Sequence, residues 1–491
     1  MKRAAFAYAT ILFWTLSADA AGLSFKVKLD PSLVGTPPQS GRLVVALSSG
    51  RGSPRYSDTG PPGGPVLGID VEQWTAEKEV TLDGSCLFFP LASVNQLPAG
   101  EYSIQATFFT NRDLTVPNAP GNCYSRTIRA KLDPAAGTSV NLTLTEKYKD
   151  EKPADTKTVK YVHLPSKLLS DFHGRPMVYR FTVVLPPNYE KDVNQKYALL
   201  VHIGGFGSRY TGGRGLRPDP RFVQILLDGA GPYGDPYQVN SANNGPYGDA
   251  LTTEVIPYVE EQFRCLKTNS SRFTTGGSTG GWVSLALQLY YPDVFNGCWS
   301  QCPDGVDFRS LELINIYRDE NAYVNRFGFE RPSKRTIEGD TIFHVRHESK
   351  IERVLGRGNR WELGGLDWAS WNAVYGPRGA DGLPKPLWNG ETGQIDKSVR
   401  KHWEKYDLRL VMERNWKTLG PKLAGGKVHI WVGEADDYFL NNGVHHFKTA
   451  AESLSDPPFD GSIQIEIRKP HTSGGWSQVQ MMNEMAKRAG L

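Results

Sequence analysis

The chain has 491 residues, of which 39% are hydrophobic and 22% charged. This length exceeds what one compact core supports, so it predicts two domains, one of which could carry an insertion. The formal net charge is only +4, which excludes a strongly basic or acidic surface. We therefore expect neither a nucleic-acid partner nor a membrane-surface partner.

The N-terminus has the composition of an export signal. Lys2 and Arg3 precede an apolar run at residues 4–16, and a small-residue cleavage motif follows at residues 18–20. The apolar run is shorter than the ~20 residues that a membrane helix needs, and no later segment is long and apolar enough to span. We expect cleavage after Ala20 and a secreted or periplasmic protein, whose five cysteines could form disulfides there.

Residues 21–148 carry short alternating apolar and polar runs, with Gly, Pro, Asn and Asp between them. The runs are Leu23–Leu29, Arg42–Leu47, Glu77–Leu82, Glu101–Phe109 and Ser139–Thr145. Short strands joined by turns predict an antiparallel, immunoglobulin-like β-sandwich. No catalytic spacing occurs there, so we expect this region to pack against the rest of the chain or to bind a polymer or surface. The charged segment at residues 149–158 is interpreted as a linker.

From residue 159 onward, apolar strands alternate with glycine-rich turns and helical periods. Predicted strands lie at Tyr197–Ile203, Phe222–Asp228, Arg272–Gly276, Lys427–Gly433 and Ile463–Pro470, and predicted helices at Asp249–Phe263, Trp282–Tyr291 and from Ser477 onward. This alternation is typical of an α/β domain with a parallel sheet, whose ligands lie at the carboxyl ends of the strands. The alternation breaks at residues 303–423, which hold six tryptophans. We interpret that stretch as a cap-like insertion, whose tryptophans could form its core or stack on a sugar or an aromatic acyl group.

Ser278 lies at the centre of Gly276-Gly277-Ser278-Thr279-Gly280, between a predicted strand and a predicted helix. This context is typical of a nucleophile elbow, in which a strained serine needs very small neighbours. The motif also fits an ordinary Gly/Ser turn. A serine nucleophile needs a general base, a group that orients the base and donors for an oxyanion, so those partners decide between the two interpretations.

The expected partners occur at the ends of later strands. Asp436 and Asp437 follow one predicted strand and His471 follows the next, in the Ser, Asp, His order of this architecture. Each acid alone could cap a helix, and His471 alone could lie on the surface. Three strand ends in the required order nevertheless favour a catalytic triad, in which either carboxylate could orient the imidazole.

The oxyanion donors are expected to be backbone N–H groups. One would come from Thr279, directly after the nucleophile, and one from the glycine-rich loop after the strand that ends at residue 203. The candidates in that loop are Gly204, Gly205 and Phe206. His344 and His347 could share a helix face, but no third metal ligand is evident, so neither a metal nor an organic cofactor is implied.

Five segments of the second half carry a family resemblance. They are VHIGGFG at 201–207, SANNGPYGDALTTEVIPYVEEQF at 241–263, GGSTGGW at 276–282, VGEADDYFLNNGV at 432–444 and PHTSGGW at 470–476. Together they resemble the Putative esterase family of α/β-hydrolases, which includes esterase D, feruloyl esterases, enterochelin esterases and the mycolyl-transferases. The resemblance covers roughly residues 159–490. The family's G-x-x-D-x-Y-x-L pattern, matched here, implies Asp436 as the triad acid.

The resemblance implies a serine esterase that hydrolyses a carboxylic ester through an acyl-enzyme. Its substrate would be a small-molecule ester or a polysaccharide- or siderophore-linked ester. Three alternatives remain open at this point: an acyltransferase, a serine peptidase of the same fold, and a non-catalytic protein that binds a surface through the β-sandwich.

Overall fold

The computed structural model describes residues 22–54 and 63–491. The expected export signal and its cleavage site lie outside these residues. Within them, no helix combines the length and the apolar character that crossing a bilayer requires.

The first part of the chain forms a β-rich region. Within residues 22–54 and 63–147, nine strands join in one hydrogen-bonded sheet, in the order β4-β1-β9-β7-β6-β2-β3-β5 with β8 paired to β6. The strands are β1 (Ser24–Leu29), β2 (Gly41–Ser48), β3 (Val66–Val71), β4 (Val80–Leu82), β5 (Leu87–Phe89), β6 (Gly100–Phe109), β7 (Cys123–Ser125), β8 (Ile128–Leu132) and β9 (Ser139–Lys147). All pairs are antiparallel except β1 with β9, which is parallel.

The five predicted runs of this region are all strands. The alternating pattern missed β5 and β7, which have three residues each, β8, which has five, and β3, which Gly68 interrupts. A Cβ at Gly68 would lie 2.5 Å from the carbonyl oxygen of Val354, so close contact with the later part of the chain requires glycine there. The parallel pairing of β1 with β9 joins residues that are distant in sequence, which alternation cannot reveal.

The second part contains the sheet that carries the predicted site. Its strands are β10 (Val159–Ser166), β11 (Met177–Val184), β12 (Ala198–Ile203), β13 (Phe222–Leu227), β14 (Asn240–Ser241), β15 (Gly245–Pro246), β16 (Arg272–Gly277), β17 (Cys298–Gln301), β18 (Pro332–Arg335), β19 (Thr341–His344), β20 (Val428–Gly433) and β21 (Ser462–Glu466). Of these, β14 pairs with β15 and β18 with β19, and the described residues place the other eight in one sheet.

That sheet has the order β10-β11-β13-β12-β16-β17-β20-β21. Counted along the chain, this is 1-2-4-3-5-6-7-8, the strand order of an α/β-hydrolase. Strand β11 runs antiparallel to both neighbours, and the remaining pairs are parallel. The sequence analysis predicted a parallel sheet but missed β10 and β11, and the antiparallel pairs of the sheet are those of β11.

Helices cover the sheet and fill the long connection between β17 and β20. They are α1 (Lys167–His173), α2 (Tyr247–Ala250), α3 (Ile256–Gln262), α4 (Thr279–Tyr290), α5 (Val345–Leu355), α6 (Asp367–Tyr375), α7 (Lys397–Trp403), α8 (Leu408–Leu423), α9 (Asn441–Glu452) and α10 (Gln478–Ala489). The predicted helices at 249–263, 282–291 and from 477 correspond to α2 with α3, to α4 and to α10.

The six tryptophans of residues 303–423 are core residues. Each is at most 7% exposed, and all belong to the hydrophobic cluster that includes the sheet. Trp361 and Trp388 stack with their ring centroids 4.5 Å apart, and Trp368 meets Trp388 edge-on. Their burial leaves these rings no open face for a sugar.

The two parts of the chain are in direct contact. Val44, Ala46 and Phe89 of the β-rich region pack against Ile351 and Val354 of α5. All five cysteines lie within the described residues and are free thiols, so the disulfides that an exported protein could form do not occur among them.

Candidate active site

Ser278 occupies a strained turn between β16 and α4. Its backbone angles are φ 57° and ψ −122°, a conformation that costs a non-glycine residue free energy and persists only when its surroundings enforce it. Hydrogen bonds on both sides do so. The Ser278 N–H donates to the Gln301 carbonyl at 3.0 Å, and the Ser278 carbonyl accepts from Asp304 N–H at 3.2 Å.

The glycines beside Ser278 are required by close contacts between backbone segments. A Cβ at Gly280 would lie 2.1 Å from the carbonyl oxygen of Ile203, and one at Gly276 would lie 2.4 Å from the same oxygen. A Cβ at Gly281 would approach the Gln301 carbonyl to 2.4 Å. Such distances are far inside van der Waals contact, so the turn depends on glycine at all three positions.

His471 and Asp436 form a buried pair at the ends of β21 and β20. His471 Nδ1 lies 2.7 Å from Asp436 Oδ2, and the two residues are 5% and 0% exposed. The other oxygen of Asp436 accepts the N–H groups of Tyr438 and Leu440, which holds the carboxylate in place. Asp437, by contrast, accepts the backbone N–H of His471 at 3.4 Å and does not contact its ring nitrogens. Of the two predicted acids, Asp436 is therefore the one that meets the imidazole.

Ser278 is hydrogen-bonded to a different carboxylate. Its Oγ donates to Asp304 Oδ1 at 3.2 Å, and among the described residues there is no hydrogen bond between Ser278 and His471. The structure thus brings the histidine and the acid together but leaves the serine hydroxyl on Asp304. A rotation about the Cα–Cβ bond of Ser278 would be needed to direct the hydroxyl elsewhere.

Asp304 is 4% exposed and has several donors around it. Its Oδ2 accepts from the Tyr237 hydroxyl at 2.5 Å, from Thr279 Oγ1 at 3.1 Å and from Trp371 Nε1 at 3.2 Å. Trp371 Nε1 also donates to the Tyr237 hydroxyl. Each of these partners comes from a different segment, so the network connects the elbow with the 230s loop and with α6.

Sequence reasoning missed Asp304, Tyr237 and Trp371. Asp304 does carry the same signal as the predicted acid, because it follows the carboxyl end of a sheet strand. That strand, β17, has only four residues, begins at Cys298 and is followed directly by Cys302. Its shortness hid both the strand and the acid after it.

The predicted oxyanion donors lie beside the elbow. A Cβ built on Gly205 would be 3.7 Å from the Cβ of Ser278, so the loop after β12 passes directly by the nucleophile. In the described chain, the N–H groups of Gly205 and Phe206 donate no hydrogen bond. Thr279 is the first residue of α4, where helical N–H groups lack an intrahelical acceptor. This arrangement suits an anionic oxygen near Ser278.

The charges around His471 affect its proton affinity. Burial lowers the pKa of His471, but the hydrogen bond and charge of Asp436, together with the charge of Asp304, outweigh burial and raise it above 6.5. For Asp304, burial has the opposite effect and raises the pKa above 3.8. The hydrogen bond from Tyr237 and the charge of His471 oppose this rise. The site therefore holds two carboxylates in unlike environments around one imidazole.

The long connection between β17 and β20 contacts the acid loop. The side-chain Nε–H of Arg335 donates to the Asp436 carbonyl at 3.0 Å, and the backbone N–H of Arg335 donates to the Asp437 carbonyl at 2.9 Å. Lys334 Nζ lies 2.9 Å from the Tyr438 hydroxyl, and the Tyr438 ring packs against His471 with the ring centroids 5.2 Å apart. Residues of this connection thus reach both the histidine side and, through Trp371, the serine side of the site.

Several solved structures of known proteins are similar to this chain. Among solved structures, the chain is similar to a ferulic acid esterase at 14% identity and a TM-score of 0.38, covering 68% of this chain and 98% of that chain. It is similar to FphF, a fluorophosphonate-binding serine hydrolase of Staphylococcus aureus, at 15% identity and a TM-score of 0.40, covering 67% and 98%. An S-formylglutathione hydrolase from Agrobacterium tumefaciens matches at 13% identity and a TM-score of 0.37, covering 70% and 98%.

No curated protein matches the chain in sequence. A family model does: the one described as "Esterase: Putative esterase" matches residues 176–444, which is more than half of the chain. The matched stretch contains the Ser278 elbow and Asp436. The chain belongs to the Putative esterase family.

Proposed function

We propose that the chain is an exported serine esterase, with Ser278 as nucleophile, His471 as general base and Asp436 as the residue that orients the base. The observation that supports this most is the buried His471–Asp436 pair at 2.7 Å, which follows β21 and β20 in the same sheet as β16, the strand that precedes the strained Ser278. Such a serine beside such a pair is the arrangement that acyl transfer requires.

The reaction would begin with a change of partner at Ser278. The hydroxyl leaves Asp304 and donates to His471 Nε2, which takes the proton as Oγ attacks the ester carbonyl. The negative charge that develops on the carbonyl oxygen is met by N–H groups of Thr279 and of Gly205 or Phe206. The imidazolium then gives its proton to the departing alcohol, which leaves an acyl group on Ser278.

A water molecule completes the cycle. Neutral His471 removes a proton from this water, the resulting hydroxide attacks the acyl carbonyl, and the proton returns to Ser278 Oγ as the acid departs. Asp436 keeps one tautomer of His471 and stabilises its cationic form in both halves. The raised pKa of His471 makes it a stronger base, at the expense of activity at acidic pH.

The organisation of the whole chain belongs to the same proposal. Residues 1–20 would be a signal peptide, 21–148 an immunoglobulin-like β-sandwich, 149–158 a linker and 159–491 the α/β-hydrolase domain. Residues 303–423 would be a cap-like insertion, which supplies Trp371 to the serine side and Arg335 to the acid loop. We infer that this insertion selects the ester, which could be carried by a carbohydrate or a siderophore.

Labelling with a fluorophosphonate tests the nucleophile. The wild-type protein should react at a single serine and hydrolyse p-nitrophenyl esters, and Ser278→Ala should abolish both, with hydrolysis falling by about 10⁵-fold or more. Ser270→Ala is the matched control, because Ser270 is exposed on the turn before β16. Absence of labelling in the folded wild-type protein would refute the proposal and favour a binding role for the β-rich region.

Product analysis distinguishes the related reactions. Release of free acid in water supports hydrolysis, whereas transfer of the acyl group to an added sugar or lipid hydroxyl would show an acyltransferase. Turnover of amides without turnover of short-chain esters would show a peptidase. Feruloyl and acetyl-sugar esters should be compared with p-nitrophenyl esters of increasing acyl length, since a strong preference for long chains would contradict a carbohydrate ester.

A further inference from the structure

A cavity lies at the junction between the β-rich region and the hydrolase part. Its volume is about 680 Å³, and its walls come from both parts of the chain. None of Ser278, Asp436, His471 or Asp304 lines it. This volume falls in the range of about 300–1,000 Å³ typical of ligand sites, so the cavity is a candidate site in its own right.

Positive charge dominates the lining. Among the described residues, six arginines line the cavity and only two carboxylates, Asp70 and Glu72, do so. The arginines are Arg42, Arg112, Arg175, Arg357, Arg360 and Arg378. Like charges brought together from separate segments repel one another, so a fold does not collect them without a compensating partner.

Some of these arginines already have carboxylate partners within the chain. Arg42 pairs with Asp70 at 3.1 Å, and Arg175 pairs with Asp113 at 2.5 Å. Arg360 pairs with two acids, Glu362 and Asp381.

Arg112, Arg357 and Arg378 form no ion pair with any residue that the structure describes. Arg112 and Arg378 are exposed and Arg357 is half-buried. The charge of Arg357 also disfavours the cationic form of the buried Arg42 and so lowers its pKa, although burial is the main cause of that shift. Within the described chain, the guanidinium groups of Arg112 and Arg357 donate no hydrogen bond, whereas Arg378 Nε donates to the Gly382 carbonyl at 2.8 Å and leaves its two Nη groups for an anion.

Aromatic rings lie among these charges. Phe109, Phe172 and Tyr233 line the cavity and are each half-buried. Arg378 lies over the Phe172 ring, 5.6 Å from its centroid. Burial raises the pKa of Tyr233, and the charges of Arg378, Arg175 and Arg360 act against that rise, which places its hydroxyl within the electrostatic reach of these guanidinium groups. The lining therefore offers flat apolar faces beside cationic groups.

The walls are held together before any ligand arrives. Arg42 Nη2 donates to the Val354 carbonyl and to Asn359 Oδ1, both at 2.7 Å, which joins β2 to the end of α5. Thr115 N–H donates to the Gly231 carbonyl at 2.9 Å, and Thr115 Oγ1 donates to the Pro232 carbonyl at 2.7 Å. A preformed site loses less conformational freedom on binding than one that must be ordered.

We propose that this cavity binds an acidic oligosaccharide, with Arg112, Arg357 and Arg378 contacting its carboxylate or sulfate groups. Guanidinium groups match the geometry of such oxyanions with two parallel hydrogen bonds, and Phe172 and Tyr233 supply apolar faces for the sugar rings. A short stretch of a charged polymer fits both the volume and the exposed arginines at the rim. The site would tether the enzyme to the material that carries its ester, but binding itself does not depend on the esterase reaction.

Calorimetric titration of the full-length protein tests the site. The probes are a carboxylated oligogalacturonide, a sulfated oligosaccharide of equal length, a neutral oligosaccharide of equal length and inorganic sulfate. The variants Arg112→Ala and Arg357→Ala remove a charge without breaking an ion pair of the described chain, and Arg126→Ala, which breaks only an exposed ion pair with Glu146, is the control outside the cavity. Arg126 belongs to the same β-rich region, its side chain is 84% exposed, and it does not line the cavity.

Both acidic oligosaccharides should bind, and whichever binds more tightly identifies the charged group that the site prefers. Each lining variant should weaken binding about tenfold or more, since a hydrogen bond to a charged group is lost. Arg126→Ala and Ser278→Ala should bind like the wild type, and added salt should weaken binding. No binding, equal binding of the neutral sugar, inorganic sulfate bound as tightly as the oligosaccharides, or full affinity in Arg112→Ala with Arg357→Ala would each overturn the proposal.

Discussion

Two buried carboxylates stand at neighbouring strand ends beside Ser278, and their surroundings differ. Asp436 follows β20 and accepts from an imidazole and from two backbone N–H groups. Asp304 follows β17 and accepts from three hydroxyls and an indole. The two acids occupy equivalent places in the sheet, so the strand end alone does not determine what a carboxylate does.

The difference lies in the group that each acid holds. In the proposed mechanism, Asp436 contacts the residue that becomes cationic, so its charge would stabilise the transition state more than the ground state. In the same mechanism, Asp304 contacts the nucleophile, and its hydrogen bond to Ser278 would have to break first. One carboxylate would therefore support the chemical step directly, whereas the other would hold the resting position of the hydroxyl and act on His471 only through its charge.

Replacing Asp436 should have the largest effect. In Asp436→Asn the side chain keeps its shape but loses the charge and favours the wrong tautomer of His471, so kcat should fall by about 10³–10⁴-fold. The fall in kcat is measured from the rate of ester hydrolysis at saturating substrate. Asp437→Asn is the matched control and should stay within about tenfold of the wild type, because its contact is with the backbone of His471.

The pH profile sharpens the same experiment. The general base works only when neutral, so kcat/KM should decline as the pH falls through the raised pKa of His471, above 6.5. Loss of the Asp436 hydrogen bond and charge should move this decline to lower pH. If Asp437→Asn were as damaging as Asp436→Asn, or if the profile of Asp436→Asn did not move, the assignment of the triad acid would be wrong.

Replacing Asp304 should have a smaller effect on rate and a distinct effect on the pH profile. In Asp304→Asn, the amide oxygen can accept from Tyr237 while the amide nitrogen faces Ser278, which frees the serine proton for His471. Above the acidic decline, kcat/KM should change by less than about tenfold, which is about 1.4 kcal/mol. Because the charge of Asp304 helps to raise the pKa of His471, the decline should move to lower pH.

Stability provides an independent readout for Asp304. A carboxyl whose folded pKa lies above its ordinary value of 3.8 binds more protons when folded, so stability falls as pH rises from 3.8 through the raised pKa. Asp304→Asn has no carboxyl to ionise, so this loss of stability with rising pH does not occur in the variant. Its melting temperature should therefore exceed that of the wild type at neutral pH, with a difference that shrinks as the pH approaches 3.8. A variant that is less stable at neutral pH would show that the ionised carboxylate is well accommodated.

Some residues around Ser278 could be predicted from the sequence and others could not. Glycine spacing predicted the turn at Ser278, and the order of strand ends predicted His471 together with either Asp436 or Asp437, because both patterns follow from local backbone requirements. The choice of Asp436 came from the family resemblance. The Asp304 network was not predictable in the same way. Tyr237, Thr279 and Trp371 meet only after three distant segments pack together, and the short strand β17 gave no recognisable pattern. The arginine-lined cavity was hidden for the same reason, since its walls are far apart in sequence.

Replacing Trp371 should produce the smallest change in activity. Trp371→Phe keeps an aromatic ring but removes the N–H that donates to Asp304 Oδ2 at 3.2 Å, and this hydrogen bond is one of those that lower the pKa of Asp304. The carboxyl should then be protonated at higher pH and support His471 less, so the acidic decline of kcat/KM should move to lower pH by less than in Asp304→Asn. Activity above the decline should stay within about threefold of the wild type.

Trp368→Phe is the control that separates this effect from a general loss of packing. Trp368 lies on the same helix and is equally buried, but its Nε1 donates to Glu348 at 2.6 Å and not to Asp304. Both variants lose a buried hydrogen bond and should lose about 1–3 kcal/mol of stability. Only Trp371→Phe should move the pH profile. Equal movement in both would mean that the profile responds to packing of α6, and that the charge of Asp304 does not reach the imidazole.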